Sequence, residues 1–184
     1  MNSGVIASRY AKALLKYVQE SGGGERTYSQ ACVLGLRLMD IRQLRDFVEN
    51  HGEISLEKKT ELLKASLGEE LAPELIDFLR LVASRRRMEL FSRMLYSFIV
   101  QYRTANNIKV GSLVTAAPVD GLKERLEALF HERTGADIQI QEKINPEILG
   151  GFVFEMDGYR LDASVESQFR KIRNQLIEKN NRIV

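Results

Sequence analysis

Residues 91–118 read FSRMLYSFIVQYRTANNIKVGSLVTAAP, and the hydrophobic period changes inside this stretch. Phe91, Met94, Leu95, Phe98 and Tyr102 recur at i, i+3, i+4, i+7 and i+11, the spacing of one face of an α-helix. Beyond Asn106-Asn107 the pattern becomes period two. Ile108, Val110, Ser112, Val114 and Ala116 alternate with their neighbours as in a strand that ends before Pro118. The chain therefore changes character near residues 104–107. The sequence predicts a mainly α fold with a smaller α+β part: an N-terminal six-helix bundle over 1–105 and a small α+β domain over 106–184.

Upstream of the switch every segment reads as helix. Val5 to Glu20 forms the first, and Ser21-Gly22-Gly23-Gly24 stops it as a flexible connector. Thr27 to Asn50 is helical with a break near Asp40. Ser55 caps a further helix with Leu56, Leu62, Leu63 and Leu67 on its inner side. Pro73 opens a fifth helix that runs to about Arg87. Downstream, Leu122, Leu126, Leu129 and Phe130 mark a helix that Gly135 ends. Ile138, Ile140 and Ile144 have strand periodicity, and Asn145-Pro146 begins a turn. Phe152, Phe154 and Met156 form a strand, and Asp157-Gly158 turns it back through Tyr159-Arg160-Leu161. Ser164 precedes a last helix with Val165, Phe169, Ile172 and Leu176 on one face.

Composition narrows the function classes. Of 184 residues, 44% are apolar and 28% charged, an ordinary balance for a chain that buries a core. The formal net charge of +2 is small for a dedicated nucleic-acid binder. One cysteine, Cys32, permits no internal disulfide. It reads as a packed thiol. No signal-peptide core is present, and no apolar run spans a bilayer, so membrane association must go through partners. His51 and His131 stand alone, outside any metal-ligand spacing. Gly22-Gly23-Gly24 follows a helix and lacks the Gly-Lys-Ser/Thr of a phosphate loop. Gly150-Gly151 reads as a bulge or a close backbone approach. No catalytic, cofactor or metal residues are assigned. Arg85-Arg86-Arg87 is the conspicuous charge run. It reads as three cations offsetting a helix dipole, or as a site for an anionic partner.

Two helices carry more apolar surface than one core-facing stripe requires. On the first, Ala7, Ala11, Leu14, Leu15 and Val18 form one strip, and Ile6, Tyr10, Ala13 and Tyr17 form a second. On the fifth, Asp77, Arg80 and Ser84 make a narrow polar face, while Leu75, Ile76, Phe78, Leu79, Leu81 and Val82 cover most of the rest. A single core holds one such helix more readily than two. The surplus predicts a groove for a partner helix, with Ile6, Tyr10, Ala13, Tyr17, Phe78 and Leu81 as its contact set. A small Ala13 admits a partner backbone, and Tyr10 supplies an anchor with a polar tip.

These residues resemble a known family. Arg9-Tyr10-Ala11-Lys12-Ala13-Leu14 looks like the opening motif of delta subunits of F-type ATP synthases. That family includes the mitochondrial oligomycin-sensitivity conferral protein. The more specific block is Thr134-Gly135, Ile138, Ile140, then Ile144 through Phe152 with Asn145, Pro146, Gly150 and Gly151. Met156-Asp157-Gly158 and Leu161-Asp162-Ala163-Ser164-Val165 follow at the family's spacing. Val114 to Pro118 is similar to its first C-terminal strand.

The resemblance implies a stator subunit without cofactor or catalysis. Its six-helix bundle would bind the N-terminal helix of an alpha subunit between helices one and five. Tyr10 and Ala13 match the motif on the first, and Leu81 matches a position on the fifth. The C-terminal domain would bind b-type stalk subunits. The protein would sit on the cytoplasmic side of a bacterial plasma membrane, held there by its partners. Asn145, Pro146, Gly150, Gly151, Asp162 and Ser164 would be structural. The chain departs from the family at Ala163, where glycine is frequent, and at Glu166-Ser167-Gln168, where basic residues are frequent. The alternative reading is a basic helical nucleic-acid-binding adaptor using Arg85 to Arg87 and the basic C-terminal helix.

Overall fold

The computed structural model describes residues 3–50, 54–135 and 137–181. His51 lies outside them. The chain divides into two compact units, Met1–Asn106 and Asn107–Val184. The division falls one residue after the expected boundary because Asn106 still belongs to the preceding helix. As its C-cap, Asn106 donates through its backbone N–H and its Nδ2 to the Tyr102 carbonyl, at 3.0 and 2.9 Å.

The first unit contains α1 (Ser3–Ser21), α2 (Gly24–Asp40), α3 (Arg42–Glu49), α4 (Leu56–Leu67), α5 (Pro73–Ser84) and α6 (Phe91–Ala105). A 3-10 turn, Met88–Leu90, leads into α6. The break expected near Asp40 falls at Ile41, whose extended backbone (ψ 91°) separates α2 from α3. Ser55 caps α4 by accepting from the Lys58 N–H at 3.4 Å. The core is built from α6, whose Phe91, Met94, Leu95, Phe98, Ile99 and Tyr102 are all buried. Each such side chain removed from water contributes about 1.5–3 kcal/mol. Leu14, Leu34, Leu38, Leu63, Leu75 and Leu79 fill the space around it.

The glycine connector between α1 and α2 is tight where a flexible linker was expected. A Cβ on Gly23 would stand 2.2 Å from Oε1 of Glu74. That carboxylate is buried, and it accepts from the Ser21 hydroxyl (2.7 Å) and the Thr27 hydroxyl (3.4 Å). The Ser21 bond leads the effects that hold the Glu74 carboxyl below its usual range, against the opposing pull of burial. Gln30 joins the same corner. It donates to Glu69 and the Glu70 carbonyl and accepts from the Ala72 N–H. The start of α5 is thereby pinned to the α1–α2 turn by polar groups that all have partners.

The second unit holds β1 (Ile108–Thr115), α7 (Leu122–Thr134), β2 (Asp137–Ile144), β3 (Phe152–Met156), β4 (Tyr159–Asp162) and α8 (Val165–Asn181). The strand order is β2-β1-β3-β4. β1 and β2 are parallel, joined through α7, and the β1–β3 and β3–β4 pairs are antiparallel. α7 lays Leu122, Leu126 and Phe130 on Leu113, Ile138, Ile140 and Phe154. The phase of β1 is a finding. The apolar set Ile108, Val110 and Val114 is only half-buried, whereas Gly111, Leu113 and Thr115 are buried. Gly111 is small because the Phe154 ring occupies the place of its Cβ, 2.8 Å away. Asp157 and Gly158 both take positive φ, 49° and 83°, as a type I′ hairpin turn requires.

Candidate partner-binding cleft

α1 has Ala7, Ala11, Leu14 and Val18 buried, four of the five residues of one predicted strip, and the fifth, Leu15, is half-buried. The second strip faces outward along the same helix. Ala13 is exposed, Tyr17 is 41% exposed, and Ile6 and Tyr10 are half-buried. On α5, Glu74, Leu75, Phe78, Leu79 and Val82 are buried, while Leu81 is 41% exposed. α1 and α5 lie side by side in opposite directions. Three contacts fix this: Ser21 with Glu74, Tyr17 with Asp77, and Tyr10 with Arg87.

Between them runs a cleft of about 180 Å3 lined by Ala13, Leu14, Tyr17, Asp77, Phe78 and Leu81. Four of the six residues expected there meet in it: Ala13, Tyr17, Phe78 and Leu81. Phe78 differs from the expectation of an open contact. It is 4% exposed, because its ring packs at 6.2 Å from that of Phe91 and forms the floor of the cleft. Ile6 and Tyr10 do not line this cleft. Ile6 lies two helical turns before Ala13, and the Tyr10 ring is covered by the Arg87 guanidinium, 5.6 Å from its centroid.

Two participants were not expected from sequence. Leu14 belongs to the core strip yet shows in the cleft floor. Asp77, placed on the polar face, accepts from the Tyr17 hydroxyl at 3.0 Å and pairs with Arg80 at 3.0 Å. The Asp77 hydrogen bond is the leading cause that raises the Tyr17 pKa. The signal was available: Tyr17 and Asp77 close the same apolar strips at the same end.

The arginine run takes up three separate positions. Arg85 caps α5. Arg86 has a left-handed backbone, φ 54°, at the place where helices commonly end in glycine. It lines a second hollow, about 630 Å3, with Asn50, Ile54, Leu56, Lys59, Ala83, Met88 and Glu89. Lys59 is buried there, donates to the Asn50 carbonyl, and has its pKa lowered by burial. Arg87 turns to Tyr10. Among the described residues, no group of three or more His, Cys, Asp or Glu is placed to hold a metal ion. Cys32 is half-buried, with the Arg103 Nη2 at 3.9 Å from its sulfur.

In the second unit the signature residues build the entry to α8. Asn145 accepts from the Glu147 N–H at 3.1 Å and starts a 3-10 turn at Pro146. Gly150 and Gly151 bring the chain against the β4–α8 connection. At φ 71°, a Cβ on Gly151 would lie 2.2 Å from the Ala163 carbonyl oxygen. Asp162 accepts from the Ser164 hydroxyl (2.6 Å), the Ser167 hydroxyl (2.7 Å) and the Ser164 N–H (3.0 Å). These bonds, the Ser164 hydroxyl first, hold its carboxyl down from 3.8 to about 2. Ser164 is buried and accepts from the Ser167 N–H at 3.2 Å, which caps α8. Of the apolar stripe, Val165 is half-buried beside Gly150, whereas Phe169, Ile172 and Leu176 are exposed. No helix among the described residues is long and apolar enough to cross a membrane.

Comparison with known proteins bears on all of these features together. Residues 6–176 match the family described as ATP synthase delta (OSCP) subunit. A protein of Phocaeicola vulgatus named ATP synthase subunit delta is 39% identical over 186 residues, covering 100% of both chains. One of the same name from Bacteroides fragilis is 35% identical over 187 residues, again covering 100% of both. Among solved structures, a chain of the Toxoplasma gondii mitochondrial ATP synthase hexamer is similar in fold. Its TM-score is 0.59 at 21% identity, over 93% of this chain and 97% of that one.

Proposed function

Because this chain belongs to the ATP synthase delta (OSCP) subunit family and is a stator subunit of an F-type ATP synthase, we propose that its α1/α5 cleft seats the N-terminal helix of an alpha subunit. The observation that carries the reading is an open apolar furrow on a folded unit. Ala13, Tyr17 and Leu81 form its walls, above a floor of Leu14 and Phe78. Ala13 is the narrow point where a guest backbone approaches. Tyr17 is held in place by Asp77 and offers its ring without a loss of rotamer freedom on binding.

The second half of the function is assigned to the second unit. Its exposed Phe169, Ile172 and Leu176 on α8 form a stripe suited to a b-type stalk helix. On this reading the six-helix unit holds the catalytic head, the α+β unit holds the stalk, and the protein performs no chemistry. The assembly lies at the cytoplasmic face of a bacterial membrane, reached through its partners.

The mechanics follow. Rotor torque acts on the catalytic ring, and a ring free to turn with the shaft would deliver no work to its nucleotide sites. A grip of nanomolar strength corresponds to about 12 kcal/mol. Joining two contacts in one chain raises the effective concentration of the second once the first has formed.

Titration of the chain with a synthetic peptide of the cognate alpha N-terminus tests the cleft. Saturable binding at or below micromolar peptide is expected. Ala13→Asp should abolish it while the far-ultraviolet circular dichroism stays helical. An unfolded Ala13→Asp variant, or wild type that never saturates, removes the proposal.

A further inference from the structure

The hollow of about 630 Å3 in the first unit shares no lining residue with the α1/α5 cleft, and it carries two cations that the proposed function does not use. Lys59, one turn into α4, is 3% exposed. Its ammonium has three donors. The carbonyl of Asn50, at the end of α3, accepts from it, and Lys59 makes no ion pair among the described residues. Burial lowers its pKa, as it does for an ammonium taken out of water with no opposite charge beside it. Buried charges are ordinarily paired. Arg86 is the second cation. Its N–H donates to the Ala83 carbonyl at 2.9 Å and the Arg87 N–H to the Val82 carbonyl at 3.1 Å, the two bonds of a Schellman turn. That turn favours glycine at its left-handed position, yet Arg86 stands there with φ 54°. A side chain is kept where the backbone favours none, and it lines the same hollow as Lys59. Glu89, the carboxylate of the lining, is exposed and already has a partner. Capping α3 accounts for one donor of Lys59. Offsetting the α5 dipole does not account for the left-handed backbone of Arg86.

We propose that this hollow binds a small organic phosphate, its oxyanion held by Lys59 and Arg86 and its carbon body lying against Ile54, Leu56, Ala83 and Met88. Lysine and arginine give a phosphate oxygen charge-assisted hydrogen bonds, which are shorter and stronger than neutral ones. Leu56 begins α4, so the hollow also meets the positive end of that helix's dipole. A few convergent polar groups in an otherwise apolar concavity are the ordinary form of a small-ligand site. Inorganic phosphate would fill the charged end alone and bind more weakly. The phosphate group can arrive on a soluble molecule or on a lipid headgroup, and its chemistry at Lys59 and Arg86 is the same. The site is independent of the alpha-helix seat.

The test titrates the full chain with phenyl phosphate, inorganic phosphate and phenol at fixed ionic strength, read by amide chemical shifts and by the thermal midpoint. Phenyl phosphate is expected to saturate at millimolar concentration or below, to shift the amides around Lys59, Arg86 and Met88, and to raise the midpoint. Inorganic phosphate should bind about tenfold more weakly, and phenol should not saturate. Arg86→Gly suits the left-handed turn, so it is expected to fold with an unchanged or higher midpoint while its affinity for phenyl phosphate falls about tenfold. Lys59→Met puts a neutral chain of similar length in the buried position and should lose a similar factor; if it fails to fold, Arg86→Gly decides. Sedimentation with phosphatidic acid vesicles that phenyl phosphate reverses identifies a lipid source. A chain that binds phenyl phosphate and stays in the supernatant identifies a soluble one. Phenyl phosphate that never saturates, or an affinity that either folded variant leaves unchanged, overturns the site. Neither result bears on the alpha peptide, which has its own titration.

Discussion

At Asp162 one carboxylate gathers three donors, and each comes from the two serines that follow it. The arrangement is local enough to have been written in the sequence as Asp162-Ala163-Ser164, yet its reason is not. Gly151 presses on the Ala163 carbonyl from a distant part of the chain, and no side chain fits between. The turn must therefore be held from its own side, which Asp162 does. Its carboxyl is depressed from 3.8 to about 2 in the folded unit, so its contribution is present above pH 3.8 and declines as pH falls toward 2. Asp162→Asn removes the titrating group. Thermal unfolding should show the variant less stable than wild type at neutral pH, with the gap closing between pH 3.8 and about 2. A gap independent of pH would show that the carboxylate charge contributes nothing. The group of residue 163 that Gly151 approaches is its backbone carbonyl.

Periodicity carried most of the information at the scale of elements. The two strips of α1 were legible because a helix fixes the angle of every side chain about its axis. Which strip would be covered was not, since both are apolar. It depended on α6 filling one side of the unit. α8 shows the converse. Its stripe of Phe169, Ile172 and Leu176 reads like a core face, but all three side chains are more than half exposed among the described residues. Substitutions there should touch binding and not folding. Ile172→Glu is expected to change unfolding free energy by less than about 0.5 kcal/mol, as exposed sites do. The same variant should weaken capture of a b-type stalk peptide in a pull-down or titration. A large loss of stability would place the stripe in a core and end its assignment to the stalk. The β1 phase was misleading for a similar reason: Ile108, Val110 and Val114 are the more apolar set, yet Leu113 lies under α7 and Gly111 makes room for Phe154.

The whole molecule is two units with a short join at Asn106 and Asn107. Each has its own buried cluster, so each should fold alone. Residues 1–106 are expected to bind the alpha peptide as tightly as the full chain does, and residues 107–184 to bind the stalk peptide. With both partners immobilised together, the full chain should dissociate more slowly than either unit by a factor on the order of 10²–10⁴, provided the join lets both sites engage. Equal dissociation rates would mean that the two contacts do not act in concert.

The sequence by itself determined the order and kind of the elements, the place where helix gives way to sheet, and the family. Those follow from local periods, caps and turns that each residue reports about its neighbours. Only the tertiary structure decided which apolar faces remain open, that Phe78 is a floor and not a wall, that Glu74 locks the glycine turn, and where Arg87 points. Those outcomes depend on which distant helices arrive to cover a surface, and exposure is a property of the assembled unit, not of any one segment.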